Sequence, residues 1–312
     1  MLITKGTAMR LGDLDPSKNV RDHGSGGGRQ FGGGGGGLGM LLSFLPMLLG
    51  RKMGCGTILL IGGGVLAFMY FGGPGMITDG TTTGSGGFSA SRSGKAVAYD
   101  TQEERFAGQV LTSTEQTWSK LFQASGSQYT LTTINFYQGG VNSNGCGSAS
   151  SAAGPFYCPA DQGIYLDTSF FKELETNLGA AGDFAKAYVI AHEVGHHIQN
   201  LTGTAAQVRQ EQARVSKAEG NALQVRMELQ ADCYAGVWAA QNADRMEPGD
   251  VEEGLTAAHA IGDDTLMRGA GQRPVESMFT HGSSEQRMAW LKKGLQTGEP
   301  ATCDTFASGA VR

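Results

Sequence analysis

Apolar and polar residues recur along most of this chain with the periods of regular secondary structure. In residues 101–125 apolar side chains return every three or four positions, which predicts an amphipathic helix. Residues 129–137 alternate β-branched and aromatic side chains with others and predict a strand, and residues 163–167 predict a shorter one. Further helices are predicted at residues 169–177, 183–202, 205–217, 221–242, 250–262 and 283–296.

These elements predict an α+β domain over residues 99–312, dominated by helices. The two strands would form a small β-sheet beside the helices. Residues 139–154 are rich in glycine and serine and predict a loop between the strands.

A long uncharged stretch precedes this domain, with no charge between Lys52 and Asp79. At about 1.5 Å per residue, residues 55–73 nearly span a hydrocarbon core of about 30 Å, which predicts one transmembrane helix. A buried core helix or a signal peptide is the alternative interpretation. The apolar run at 38–50 is too short to span. Because Arg51 and Lys52 lie just before the predicted helix, the N-terminus is expected in the cytoplasm and the domain outside it, periplasmic or extracellular.

Low-complexity sequence flanks the predicted helix on both sides. Residues 1–54 are expected to be a basic, glycine-rich cytoplasmic tail, because residues 21–37 end in six glycines and cannot bury a core. Residues 74–98 are expected to be a flexible linker. The whole chain has a net charge of −5, so the domain is acidic and a nucleic-acid partner is not expected.

Five cysteines are present, and Cys55 lies at the edge of the predicted helix. The other four allow three pairings. Disulfides persist outside the cytoplasm, and the preferred pairing joins Cys146 to Cys158 and Cys233 to Cys303. Two reduced, buried thiols are the alternative for the second pair.

The segment H-E-V-G-H at residues 192–196 matches the pattern H-E-x-x-H on a predicted apolar helix. Residues four apart share a helix face, so the imidazoles of His192 and His196 project together, as two zinc ligands must. Glu193 is adjacent to both and suits a general base acting on water. A chance match is the alternative. His197 points about 100° away from its neighbour and is interpreted as a packing or supporting residue.

A second acidic pair follows on another predicted helix. Glu228 and Asp232 are four residues apart among apolar neighbours, where unpaired acids are unexpected. Because a catalytic zinc usually takes three protein ligands and keeps one position open, Glu228 is assigned as the third ligand. Asp232 is assigned to accept a hydrogen bond from a ligand histidine. The alternative is two surface acids paired with Arg226 or Arg245.

The segment T-H-G-S-S-E-Q-R opens the last predicted helix, with one of its serines as the N-cap. Its histidine, His281, is a candidate donor to the oxyanion of a tetrahedral intermediate. Arg287 is a candidate for orienting substrate or bracing Glu228. A turn or capping role is the alternative for His281.

Four segments together carry a resemblance to a known family. H-E-V-G-H-H-I-Q-N, M-E-L-Q-A-D-C-Y-A-G-V-W, C-G-S-A-S-S-A-A-G-P-F-Y-C-P and T-H-G-S-S-E-Q-R resemble a bacterial membrane-anchored family described as "putative neutral zinc metallopeptidase", over about residues 95–310. The chain more distantly resembles the HtpX and CAAX prenyl protease group, which tends to have proline where this chain has Gly282. The resemblance implies that His192, His196 and Glu228 are zinc ligands, that Glu193 is the base and that Asp232 supports them.

These patterns predict a zincin-like, membrane-anchored metallopeptidase with one zinc ion. We expect it to hydrolyse peptide bonds of a peptide or protein substrate, with Glu193 taking a proton from a zinc-activated water. The exposed sheet edge would bind an extended peptide by strand addition. Two other functions fit the same residues. One is a non-catalytic, zinc-containing surface binding module, and the other is an amidase that acts on cell-wall peptides.

Overall fold

A computed structural model of the chain describes residues 9–25, 99–143 and 145–311. Within these ranges it contains eight α-helices, of which seven lie where the sequence predicts helices and one, α7, was not predicted. The helices are α1 (Gln102–Ala124), α2 (Ser169–Thr176), α3 (Asp183–Leu201), α4 (Thr204–Gln212), α5 (Lys217–Gln241), α6 (Asp250–Ala260), α7 (Asp263–Gly269) and α8 (Ser284–Thr297).

Three of the helices begin with a capping box. Thr101, Ser216 and Ser283 each accept a hydrogen bond from the backbone three residues later, and a glutamate or glutamine there bonds back to the cap. The cap at Ser216 explains why α5 begins before residue 221, the predicted start, since it satisfies the first N–H groups of an otherwise polar turn.

The strands form one mixed sheet and one hairpin within the described residues. In the sheet, whose order is β1-β2-β6-β5, β1 and β6 run parallel to β2, and β5 runs antiparallel to β6. Strands β3 and β4 form an antiparallel hairpin inside residues 139–154, where the sequence predicted only a loop. The strands are β1 (Val20–Ser25), β2 (Thr133–Gln138), β3 (Gly140–Ser143), β4 (Gly147–Ser150), β5 (Phe156–Cys158) and β6 (Gly163–Leu166).

Residues 9–25, here called the N-terminal strip, belong to the folded domain, and the prediction that residues 1–54 are only a tail is therefore wrong for this part. Strand β1 lies beside β2, with Val20 opposite Ile134. The tail was predicted because the adjoining glycines dominate the composition, while the strip has few apolar positions. Its buried apolar side chains are Met9, Leu11, Leu14 and Val20.

Hydrogen bonds also attach the strip to helix α1. The amide of Gln109 donates to the Leu14 carbonyl over 3.1 Å in a buried contact. Ser17 and Asn19 both donate to one carboxylate oxygen of Glu115, over 2.9 and 2.7 Å. The predicted domain boundary at residue 99 is corrected accordingly, because the folded unit also includes the strip.

No helix within the described residues is both long and apolar enough to cross a membrane. The predicted helix at 55–73, the apolar run at 38–50 and the linker at 74–98 lie outside those residues, and their assignment stays a prediction. One crossing between the strip and the domain would separate them by a bilayer about 40 Å thick. The predicted arrangement, with the strip in the cytoplasm and the domain outside, is therefore not compatible with the pairing of β1 and β2.

Helix α3 is largely buried and packs against α1, α5 and α6. Its backbone contacts α5 closely at Gly195, where an added Cβ would lie 2.9 Å from the Cα of Ala231. Only glycine permits two helix backbones to come this close. Gly195 belongs to the H-E-x-x-H motif and Ala231 lies one turn after Glu228, so this close approach brings the polar side chains of the two helices together.

Helices α5 and α8 are also in backbone contact. A Cβ at Gly294 would lie 2.0 Å from the carbonyl oxygen of Cys233, and one at Gly236 would lie 2.2 Å from that of Leu291. This contact puts the first turn of α8, with Arg287, beside the middle of α5.

Both predicted disulfides are present. Cys146 is bonded to Cys158 and joins the β3–β4 hairpin to the edge strand β5. Cys233 is bonded to Cys303 and attaches the C-terminal segment to α5, and both of its sulfur-bearing residues are buried.

Candidate metal centre

The two imidazoles of the H-E-x-x-H motif meet a carboxylate from the neighbouring helix. His192 and His196 lie one turn apart on α3, with ring centroids 4.7 Å apart. The Nε2 atom of His192 is 3.2 Å from Oε2 of Glu228, and Nε2 of His196 is 3.5 Å from the same oxygen. The structure therefore brings together the three side chains that the sequence predicts as ligands.

This donor set suits zinc. One ligand atom from each of the three side chains lies within 4.8 Å of the others, so a single cation can contact all three. Two imidazole nitrogens and one carboxylate oxygen are a common set for a zinc that keeps a coordination position for water. A hard cation such as Ca²⁺ would instead require six or more oxygen ligands.

The charges of the three groups are strongly coupled. Burial alone would raise the pKa of Glu228, but the adjacent imidazoles outweigh it and hold that pKa well below its usual range. Burial would lower the pKa of His196, and the Glu228 carboxylate instead raises it to about 9. A site of this kind takes up a cation in exchange for protons.

Asp232 lies directly behind His192 and is completely buried. Its Oδ1 accepts hydrogen bonds from Nδ1 of His192 over 2.8 Å and from the hydroxyl of Tyr188 over 2.6 Å. Arg287 donates to both carboxylate oxygens over 2.9 Å. Burial opposes the charge, but Arg287 and His192 lower the pKa of Asp232 to about 2. The carboxylate thus keeps the proton of His192 on Nδ1 and leaves Nε2 toward Glu228.

A different group supports His196, and sequence reasoning missed it. Nδ1 of His196 donates to Oε1 of Gln199 over 2.9 Å. The Gln199 amide in turn donates to the Met227 carbonyl over 2.7 Å and to Oε1 of Gln230 over 3.1 Å. The sequence contained a signal for this contact. Gln199 lies one turn after His196 on a buried helix, and a buried polar side chain needs a hydrogen-bond partner.

Glu193 is buried beside the two histidines, with 7 % of its surface exposed. Burial raises the pKa of its carboxyl group, and the nearby His196 and His192 oppose this increase. A carboxylate in this position has a raised affinity for a proton, as a general base requires.

The last motif is only partly placed as expected. Arg287 binds Asp232 and, among the described residues, makes no hydrogen bond or ion pair with Glu228, so its direct support goes to the partner of His192. His281 lies near enough to Glu228 for each charge to shift the pKa of the other. The N-cap of α8 is Ser283, one of the two serines predicted.

His197 has no part in the cluster. Its Nε2 donates to the carbonyl of Thr130 over 2.7 Å, and its Nδ1 accepts from the hydroxyl of Tyr157 over 3.0 Å. Burial lowers its pKa, which fits a neutral imidazole. The prediction of a packing role is confirmed, and the side chain joins α3 to the edge strand β5.

Comparisons with known proteins identify relatives of this chain. The sequence model of a family described as "Putative neutral zinc metallopeptidase" matches residues 9–306 and so includes the N-terminal strip. "Uncharacterized protein YpfJ" of Escherichia coli K12 is 50% identical over 204 residues, which are 65% of this chain and 71% of that protein. "Uncharacterized protein Rv2575" of Mycobacterium tuberculosis H37Rv is 44% identical over 193 residues, which are 58% of this chain and 64% of that protein. No solved structure matches this chain. Because the family match covers nearly the whole chain, the protein belongs to the family described as "Putative neutral zinc metallopeptidase".

Proposed function

We propose that this chain is a zinc-dependent peptidase with a zincin-like site, held at a membrane and hydrolysing peptide bonds outside the cytoplasm. The observation that carries the proposal is the meeting of His192, His196 and Glu228 with Glu193 beside them. A structural zinc site is normally closed by a fourth protein ligand, so three ligands with an adjacent carboxylate favour catalysis over a purely structural ion.

Each side chain has a separate task in the proposed reaction. Zinc held by the three ligands supplies Lewis acidity toward a water molecule and a peptide carbonyl. Glu193 accepts the proton that the attacking water loses, and returns it to the leaving amine. His281 donates a hydrogen bond to the carbonyl oxygen as negative charge develops there. Asp232 and Gln199 hold the two ligand imidazoles in position.

The edge strand β5 is the proposed place for an extended peptide. It is an outer strand of the sheet and is attached to the active-site helix through the contact between Tyr157 and His197. A peptide that extends the sheet there would be recognised mainly through its backbone. This mode favours peptide and protein substrates of varied sequence.

The disulfides support a location outside the cytoplasm, and the apolar stretch supports attachment to a membrane. Both disulfides join cysteines of the domain, and such bonds persist in oxidising compartments. The apolar sequence at 55–73 supports attachment to a membrane. The net charge of −5 disfavours nucleic acid as a partner.

The proposal is tested with the purified full chain and its Glu193→Gln variant, because the N-terminal strip is part of the fold. Both proteins are assayed against a mixture of peptides and against cell-wall peptides, and bound zinc is measured in each. We expect hydrolysis by the unaltered chain and a loss of about 100-fold or more in the variant, with zinc content unchanged. Bound zinc without cleavage of any peptide bond would refute the peptidase and favour a binding module. Hydrolysis confined to cell-wall amides would instead identify an amidase.

A further inference from the structure

The loop that carries His281 is held by one carboxylate from the unpredicted helix α7. Oδ2 of Asp263 accepts hydrogen bonds from the backbone N–H groups of Thr280, His281 and Gly282, over 2.7, 2.6 and 3.0 Å. The N–H of Asp263 donates back to the Gly282 carbonyl over 2.9 Å. A single side chain therefore fixes three consecutive residues of the loop.

The second oxygen of the same carboxylate contacts the imidazole. Nδ1 of His281 is 3.2 Å from Oδ1 of Asp263 and 3.1 Å from the hydroxyl of Thr280. With Nδ1 occupied in this way, Nε2 is the ring nitrogen left for another partner. The Asp263 side chain is 14% exposed and that of His281 32%, so the pair lies between the protein interior and solvent.

Two properties of Gly282 explain why this chain does not have a proline at that position. Its φ of +91° is in the left-handed region, which favours glycine. Its N–H is one of the three donors to Asp263, and proline has no N–H to donate. The conformation of this loop therefore depends on its hydrogen bonds to Asp263.

We propose that Asp263 is a positioning residue for His281: its carboxylate accepts from Nδ1–H and favours the imidazolium form, whose Nε2–H then faces the substrate carbonyl beside the metal ligands. The role of His281 at the substrate rests on the proposed peptidase function. Asp263 itself touches neither substrate nor ligand, and it acts only through the histidine. Oxyanion stabilisation depends on a donor that is already in place before charge develops, and this is what the carboxylate provides.

Asp264 provides a matched control. It is adjacent in sequence and also accepts a backbone bond from the same region, from Ser284 over 2.7 Å. Its other partners are the Ser284 hydroxyl and Arg268, and it has no hydrogen bond with His281 among the described residues. Loss of its charge should therefore affect the start of α8 and not the imidazole.

The experiment compares Asp263→Asn with Asp264→Asn in the full chain. An asparagine keeps an oxygen for the three backbone N–H groups but removes the charge beside Nδ1. The titration of His281 is followed by NMR with labelled histidine, its signal being assigned by its loss in His281→Ala. The charged groups that face His281 are Asp263, Glu228 on α5 and Arg287 on α8. Only Asp263→Asn should move the titration, toward lower pH, because it removes the anionic partner.

Kinetics then test the functional consequence. We expect kcat to fall about 10-fold in Asp263→Asn and about 100-fold in His281→Ala, with little change in KM or zinc content. Adding Asp263→Asn to His281→Ala should cause no further loss, because both changes remove the same contribution. Additive losses, or an unmoved titration, would overturn the proposal. If the unaltered chain cleaves no peptide, the peptidase function fails, and the titration alone still decides whether Asp263 positions His281.

The N-terminal strip carries a second, independent inference. We infer that residues 9–25 and residues 99–311 lie in the same compartment. Backbone bonds join β1 to β2, and the Arg10 N–H donates to the Arg245 carbonyl over 2.8 Å. Two segments that share backbone hydrogen bonds cannot lie on opposite sides of a bilayer about 40 Å thick.

Two single-cysteine reporters test this in intact cells, in a full chain that carries Cys55→Ser. Gly12→Cys lies in the strip, where an added Cβ meets nothing within 4 Å, and Glu252→Cys lies on the exposed side of α6. A membrane-impermeant maleimide should label both cysteines or neither before lysis. Labelling of both supports the proposed location outside the cytoplasm, and labelling of neither contradicts only that location. Labelling of one without the other would overturn the inference.

Discussion

The two ligand histidines are supported by chemically different groups. Behind His192 lies a buried ionic network in which Asp232 binds the imidazole, Tyr188 and the guanidinium of Arg287. Behind His196 lies a neutral amide, Gln199. Charge-assisted bonds are stronger, and a buried charge left without its partner is far more costly than an amide in the same state. We therefore expect the hydrogen bonds that support His192 to contribute more to stability than the one that supports His196.

The largest expected effect is on the ionic side. In Asp232→Asn the buried Arg287 loses its charged partner, and the free energy of unfolding of the zinc-free full chain should fall by about 3–5 kcal/mol. Zinc affinity should fall by about 10- to 100-fold, because the acceptor of His192 loses its negative charge. Urea unfolding and competition with a chelator measure the two quantities. Replacing both partners, with Asp232→Leu and Arg287→Met, should recover part of the stability. A loss below about 1 kcal/mol would mean that the two sides are held equally.

The pH dependence of the free energy of unfolding tests the charge of His196, the ligand supported by the neutral amide. The folded pKa of His196 is about 9, above its ordinary value of 6.5, so its stabilising contribution is complete below about pH 6.5. The zinc-free chain should lose up to about 3 kcal/mol of stability between pH 6.5 and 9, at about 1.4 kcal/mol per pKa unit.

Zinc should reverse this trend, because binding displaces protons and becomes stronger as the pH rises. Urea midpoints at pH 6.5 and pH 9, with and without zinc, measure both slopes. The zinc-free His196→Asn chain serves as the control and should show a smaller decrease, since the pKa values of His192 and His281 are raised as well. A zinc-free protein whose stability is constant over this window would contradict the assigned charge of His196.

Gly294→Ala should weaken the ion pair between Asp232 and Arg287 indirectly, through the packing of α8 on α5. The new Cβ would lie 2.0 Å from the Cys233 carbonyl, so α8 must shift and carry Arg287 away from Asp232. A loss of about 1–3 kcal/mol in unfolding free energy is expected. Gly269→Ala is the matched control, since its Cβ meets nothing within 4 Å. Equal thermal stability of the two variants would show that α5 and α8 are not tightly packed.

The smallest effect is expected from the neutral side. Gln199→Leu removes the acceptor of His196 and leaves the Gln230 amide oxygen with one donor fewer, at a cost of about 1–2 kcal/mol. Zinc affinity should fall about tenfold. Gln207→Leu, on the exposed surface of α4, controls for the loss of an amide. A loss as large as that of Asp232→Asn would remove the distinction between the two sides.

Local patterns were enough to predict much of this molecule. Four-residue spacing gave the shared faces of the H-E-x-x-H pair and of Glu228 with Asp232, and seven helices follow from apolar periodicity. The N-terminal strip could not be predicted in the same way. Its strand is six residues long and adjoins a run of glycines, and it becomes regular only by pairing with β2, more than 100 residues later in the chain.

The sequence by itself determined the ligand types and their spacing on each helix, because these depend on contacts within a few residues. Only the tertiary structure decided that Arg287 binds Asp232, that Gln199 supports His196 and that Asp263 holds the His281 loop. Each of these contacts depends on how closely helices pack and on how each side chain is turned. Glycines at the helix contacts set the packing, and no periodic pattern along the chain records which polar groups then meet.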